Sequence, residues 1–434
     1  VQQATGLERN GRFRSSARGF EVNLPVVLDS SARFTDESGT LTVDNGTIRV
    51  VIDKQWGGAI REIWFAGSNL VNNFDGGRLI GVSLYDNSTV PPSGDISDPA
   101  WGWNPTPSDL YNHQNRPLDY RFANGVLYVK VRNLHWNPNN KGGGPATAVS
   151  SDVLIETWIE LLKAVPNGVR VKYRITHDGI DRHPQNTQEL GFVYVQPAYK
   201  RFVRYTGDAP WTHAPVDIRE TPPVWPARGN SAATENWGGF VNSAGIGLIL
   251  WAPQAYPNFG YVFHDNPPPS DSATSYMNPL SIIDHNPGAV YEMEQYLFAG
   301  KWQDAREAIY RLRQDLPPFP DILPSYGTLD IPPAGATLSG LVEVAGWALD
   351  DHGTAKVEVL LDGAVIGQAV YGSERSDVVP DFPGVPGAPY FGFSFEMDTT
   401  SFSNGAHSLA ARATDISGNS SLIFPDEITV EISN

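Results

Sequence analysis

Glu292 and Glu294 stand two residues apart in Tyr291-Glu292-Met293-Glu294-Gln295-Tyr296, a run whose alternation reads as a β-strand. On a strand both carboxylates point the same way, with Cα atoms about 7 Å apart at a rise of about 3.3 Å per residue. Hydrolysis of a glycosidic bond generally takes two carboxyl groups, about 5–5.5 Å apart for retention and about 6.5–9.5 Å for inversion. This pair suits either geometry. Glu189 opens a second β-rich run, Glu189 to Val195, and His177 and Tyr194 can share a cleft with it. His285, in Ile283-Asp284-His285-Asn286, can pair with Asp284 or orient a hydroxyl. Glu189, Glu292, Glu294, His177 and His285 are therefore the catalytic candidates: beside aromatic loops, burial can lift one carboxyl's pKa and leave another ionised. Glu156 and Glu160 flank Trp158 on one face, but their Cα atoms are about 13 Å apart at the same rise, so each needs a partner from another strand.

The chain holds 12 tryptophans, several of them in polar loops rather than apolar runs. A sugar ring offers an apolar C–H face bordered by hydroxyls, which suits a flat indole beside amide and carboxylate acceptors. Trp101, Trp103, Trp136, Trp211 and Trp237, with His113, Arg182 and Glu235 near them in sequence, are the expected substrate-binding set. For any one of these tryptophans, anchoring a loop to the core is the plainer role; as a group they favour a glycan surface. A His with Tyr111, Tyr205 or Tyr276 would instead give a lyase its base and acid, with Arg78, Arg182 or Arg204 neutralising a uronate. His177, Asp178, Asp181 and His183 match no established ligand spacing, so no metal or other cofactor is expected there. Asp350, Asp351 and Asp415 are acids that structural calcium would suit, although exposed loop acids are commoner. Phosphate-loop, nucleophile-elbow and zinc-protease helix motifs are absent.

The elements that must hold these residues are strands. Val169, Val171, Tyr173 and Ile175 alternate with Arg170, Lys172, Arg174 and Thr176, and a polar turn then leads to the Glu189 strand. The two read as a central hairpin carrying ionisable groups at a sheet rim. Asn45-Gly46 and Asp362-Gly363 are strong hairpin turns. One helix is expected, Trp302 to Leu316, stopped by Pro317 and Pro318. The expected division is an arm over residues 1–35, a large β domain over 36–318, a proline-punctuated linker over 319–333 and a second β domain over 334–434.

Composition narrows the function classes. The 434 residues include no cysteine, which removes disulfides, thiolate metal sites and Cys nucleophiles. From Ile331 onward 14 acids oppose 3 bases, so most of the net charge of −17 sits in the last quarter. No basic stripe suits nucleic acid and no apolar run suits membrane insertion. A first residue of Val, with no leader-like run, reads as an exported chain whose signal has been removed. Self-association through the arm or the second β domain is a further possibility.

Val344-Ala345-Gly346-Trp347-Ala348-Leu349-Asp350, Asn404-Gly405-Ala406-His407 and Ala413-Thr414-Asp415 with Gly418-Asn419 resemble the bacterial immunoglobulin-like modules appended to secreted enzymes and surface proteins. The phrase Gly57-Gly58-Ala59-Ile60 leading into Ile63 to Phe65, with long strands and a late carboxylate-bearing strand, is similar to galactose-mutarotase-like β-supersandwiches of carbohydrate-active proteins. No mutarotase catalytic motif maps residue by residue, so only architecture carries over. The resulting expectation is an all-β, secreted or cell-surface bacterial protein that binds a polysaccharide in a Trp-lined groove. Glycoside hydrolysis is favoured; the alternatives are a non-catalytic glycan-binding or assembly subunit and, behind it, a lyase.

Overall fold

The computed structural model describes residues 28–86, 98, 102–139, 141–220, 232–265 and 273–434. Two sheets of ten strands face each other across one apolar core. In the first, Thr40–Asp44, Ile48–Asp53, Ile60–Phe65, Ile80–Ser83, His183–Val195, Thr274–Pro279 and Phe259–Asp265 lie side by side. In the second, the central run is Trp237–Val241, Ile246–Trp251, Val290–Lys301, Gly168–His177, Ser150–Leu161 and Val126–His135. Period-two alternation sends Val43, Ile52 and Val193 from the first sheet and Val129, Ile155, Val171 and Met293 from the second into the shared core. The all-β sandwich expected from the pattern is the fold observed.

The expected central hairpin is not formed. Gly168–His177 pairs with Ser150–Leu161 on one edge and Val290–Lys301 on the other, so it has no free edge for the strand that follows it. Residues 178–182 instead carry the chain across the sandwich, and His183–Val195 joins the other sheet between Ile80–Ser83 and Thr274–Pro279. Both tight turns do form: Gly46 has φ +85°, and Asp362 and Gly363 both have positive φ. A bulge in His183–Val195 falls at Gly191, where φ is +77° and an added Cβ would strike the Gln295 amide.

The helix spans Trp302–Asp315 and buries Ala305, Ile309 and Leu312 against Trp237, Trp251 and Phe298. Among the described residues, no helix is long and apolar enough to cross a membrane. The C-terminal sandwich begins with Tyr326–Ile331, before the boundary expected at 334. Leu323 and Ser325 are buried, so the proline-punctuated stretch is packed rather than free. Leu349, Val378, Val385 and Phe391 belong to the same core as the large sandwich, and Arg182 bridges to Asp426 at 2.7 Å. Of the arm expected over residues 1–35, residues 1–27 lie outside the described residues, while Leu28 bridges to Leu162 and Arg33–Asp36 pairs with Thr40–Asp44.

Candidate functional site

The outer face of the first sheet carries a cluster of tyrosines around one carboxyl. Glu189, half-buried, faces Tyr85, whose hydroxyl donates to Oε1 at 3.3 Å. Tyr194 and Tyr276 pack with ring centroids 4.5 Å apart, and Phe263 stacks on Tyr276 at 4.8 Å. Register explains the grouping: Glu189 lies opposite Ser83, two residues before Tyr85, and Tyr194 lies opposite Tyr276. Gln188 fixes Tyr85 from the neighbouring position, accepting from its backbone N–H at 2.6 Å and donating to its carbonyl at 3.0 Å.

Desolvation by these rings pushes the Glu189 carboxyl up to about 7, against the lowering effect of the Tyr276 and Tyr85 hydroxyls. Burial, reinforced by the Glu189 charge, raises the hydroxyls of Tyr85, Tyr194 and Tyr276 well above the ordinary phenol value. The phenols therefore stay protonated and serve as donors, while the carboxyl can give or take a proton near neutrality. Arg78 and Asp75 act on Tyr194 electrostatically. They come from a tight turn in which Asp75 Oδ1 accepts from the N–H groups of Gly77 and Arg78, both at 3.0 Å, while Oδ2 pairs with the Arg78 guanidinium. That guanidinium lies 5.1 Å from the ring of the exposed Phe74. Trp136, half-buried, backs the turn, since a Cβ on Gly77 would touch its indole at 3.2 Å.

Glu292 and Glu294 share a face as the spacing requires, but they sit on the second sheet in a ladder of cross-strand ion pairs. The rows are Glu156, Arg174, Glu292, then Trp158, Lys172, Glu294, then Glu160, Arg170, Tyr296. Arg174 holds Glu292 at 2.7 Å, Lys172 reaches Glu160 at 3.2 Å, and Tyr296 donates to Glu294 at 2.8 Å. Burial is the largest influence on Glu294 and raises its pKa, partly opposed by Arg170. These carboxylates are committed to holding three strands together. Their partners were visible in the alternating bases Arg170, Lys172 and Arg174, once the strands are known to be neighbours.

His177 and His285 meet Trp103 and His183 in a separate, buried cluster on the edge where the chain crosses between sheets. His177 Nε2 lies 3.1 Å from Asp152 Oδ2 and its Nδ1 3.1 Å from the Asn286 carbonyl. His183 Nδ1 lies 2.9 Å from Asp86, and Trp103 stacks on His183 at 3.8 Å while its indole N–H donates to Asp152 at 2.7 Å. Asp152, His177 and His183 each offer a ligand atom, all within 4.8 Å of one another. That donor set suits a transition metal, with Asp86 and the Asn286 carbonyl orienting the imidazoles. Spacing in the sequence could not bring these three together, because Asp152 comes from a different strand. His285 is fully buried with neither ring nitrogen hydrogen-bonded, and burial lowers its pKa to about 3.

The remaining expected binding residues are dispersed. Trp103 and Trp237 offer no face to a glycan because both are buried, Trp103 stacked on His183; their indole N–H groups donate to Asp152 and Glu235 respectively. Glu235 is fully buried and accepts from the Trp211 N–H and the Tyr310 hydroxyl, each at 2.7 Å, which makes it a structural hub. Trp211 packs under Arg313, 4.3 Å from its ring. Arg182 is taken up by Asp426 and Asn286. His113 is held by Asp109 at 2.7 Å. Trp101 lies outside the described residues.

Residues 327–411 match the family model for the bacterial Ig domain, and this part of the chain is such a domain. Among solved structures, the chain is similar to a polysaccharide lyase (10% identity, 92% of this chain and 48% of that one, TM-score 0.33). It is also similar to a galactose mutarotase-like protein from Clostridium acetobutylicum (8% identity, 62% of this chain and 97% of that one, TM-score 0.36). A third likeness is to the GH36 α-galactosidase from Geobacillus stearothermophilus (11% identity, 62% of this chain and 41% of that one, TM-score 0.36). The chain thus spans about half the length of the lyase. No curated protein sequence matches it.

Proposed function

We propose that this chain is a carbohydrate-active enzyme in which Glu189 is the acid–base group, acting on a polysaccharide laid across the outer face of the first sheet. The observation that carries the reading is a half-buried carboxyl that accepts from the Tyr85 hydroxyl at 3.3 Å among protonated phenols, its pKa pushed up to about 7. A carboxyl in that state protonates a leaving oxygen at neutral pH. Tyr85 steadies the Glu189 anion left after transfer by donating to it. Glu292 and Glu294 are not the catalytic pair in this reading, because their charges are already matched.

A second reading, β-elimination from a uronate, is favoured by the same tyrosines and by Arg78, which would face the sugar carboxylate. The test is a screen of neutral and acidic soluble polysaccharides with the native chain and Glu189→Gln, reading reducing ends and the ultraviolet absorbance of an unsaturated product. Reducing ends without absorbance support hydrolysis; both together support elimination. Turnover that survives Glu189→Gln unchanged refutes the assignment. Binding without turnover on every glycan moves the chain to the non-catalytic class.

A further inference from the structure

Where the proline-punctuated stretch meets the Ig domain, four aspartates converge. Asp321 comes from the stretch itself, Asp350 and Asp351 directly follow the strand Leu341–Leu349, and Asp415 ends the strand Gly405–Asp415. Asp321, Asp350, Asp351 and His352 each offer a ligand atom within 4.8 Å of the others. Asp415 is close enough to bear on both Asp321 and Asp350.

Acids near one another on a surface would mean little; these are buried and incompletely used. Asp350 is 0% exposed, and its Oδ1 accepts from the N–H groups of His352 and Gly353 at 2.8 and 3.0 Å, which leaves Oδ2 buried without a partner. Asp415 is built the same way: Oδ1 accepts from Ser417 and Asn419, both at 2.8 Å, and Oδ2 has no partner. Oδ1 of Asp351 has no partner, and Asp321 has the Ser417 side chain beside it but no hydrogen bond that satisfies either oxygen. A buried carboxylate oxygen with no donor carries a desolvation cost that a native fold normally offsets with a partner. The cation nearest these oxygens is the His352 imidazole, 3.4 Å from Asp351 and 3.7 Å from Asp321, one charge against four.

We propose that this cluster is a calcium site that clamps the stretch bearing Asp321 to the Ig domain. The donors pointing inward are carboxylate oxygens from three separated segments, the hard oxygen set that Ca²⁺ takes six to eight at a time. His352 stands at the rim and Zn²⁺ would find only one nitrogen there. A cavity of about 440 Å³, lined in part by Asp321, Asp351 and His352, opens beside the cluster and gives access for the ion and for water to complete its shell. The site is remote in role from the Glu189 pocket and does not depend on the function proposed for it.

The test uses the full chain, stripped with a chelator and dialysed, then titrated with Ca²⁺ alone by calorimetry and followed by thermal unfolding. One Ca²⁺ should bind per chain and raise Tm by several degrees. Asp350→Asn and Asp351→Asn should each weaken binding at least about tenfold by removing a carboxylate ligand, while Asp381→Asn, outside the cluster, should not. Because Asp350→Asn could disturb folding, the more exposed Asp351→Asn keeps the test open. Terbium offers an independent readout through energy transfer from the neighbouring Tyr256. Absence of binding and of any Tm shift at millimolar Ca²⁺ overturns the proposal, as does equal stabilisation of native chain and both variants. If His352 were the working counter-charge, His352→Gln would destabilise the chain and Ca²⁺ would not restore it.

Discussion

Gln188 and Tyr85 grip each other through two hydrogen bonds, the amide oxygen taking the Tyr85 N–H at 2.6 Å and the amide nitrogen giving to the Tyr85 carbonyl at 3.0 Å. Residue 188 thereby sets where the phenol stands beside Glu189 without touching the phenol. A positioning role of this kind predicts a split in kinetics. Gln188→Ala should lower kcat by about tenfold or more through misplacement of the donor, with KM little changed. Tyr85→Phe should lower kcat too, but should leave the backbone grip intact and Tm within a degree or two of native.

The pH dependence follows from the Glu189 carboxyl at about 7. If it must be protonated to act, kcat/KM should fall as pH rises through 7, and the limb should vanish in Glu189→Gln. Stability has the same sign. A carboxyl whose folded pKa lies above its unfolded value favours folding below the unfolded value, near 4.5, and loses that benefit as pH rises through 7. Glu189→Gln should therefore be more stable than native at pH 8, by roughly 2–3 kcal/mol at most, and no better than native at pH 4. Urea unfolding at the two pH values measures both.

Glu235 anchors the helix to the sheet, receiving the Trp237 indole N–H, the Tyr310 hydroxyl, the Trp211 N–H and, at 3.5 Å, the Arg306 guanidinium. Glu235→Ala would strand a buried Arg306 and should cost about 3–5 kcal/mol. Glu307→Ala, on the exposed face of the same helix, should change stability by less than about 0.5 kcal/mol. Equal effects from the two would contradict the hub.

Much of the architecture was legible because alternation and turn chemistry are local. Asn45-Gly46 and Asp362-Gly363 make the hairpins their residues require, and the helix ends at Asp315, beside its prolines. What local signals could not supply was strand neighbourhood. Val169 to Thr176 and the Glu189 strand are adjacent in sequence and lie in opposite sheets, so the pairing that matters for Glu189 is with Tyr85 and Tyr276, from residues about a hundred and ninety positions apart. Glu189 stood out in sequence; its tyrosine shell did not. Trp103 and Trp237 misled for a related reason: a polar neighbourhood in sequence packs inward in space, the indoles buried and their N–H groups donating to Asp152 and Glu235.

The Ig domain shares its core with the large sandwich through Leu349, Val378, Val385 and Phe391. Deleting residues 334–434 should therefore expose apolar surface, abolish a single cooperative melt and promote aggregation. A truncated chain that stays monomeric and melts at the native temperature would show the domains to be independent.

The most direct measurement compares kcat/KM for native chain, Glu189→Gln and Glu292→Gln on one polysaccharide that the native chain turns over. The ion ladder commits Glu292 to Arg174 at 2.7 Å, whereas Glu189 keeps a titratable carboxyl among phenols. Glu189→Gln should lose at least about a hundredfold, with Glu292→Gln within about tenfold of native and both variants folded. The reverse ranking, with Glu292→Gln inactive and Glu189→Gln near native, would move the chemistry to the second sheet.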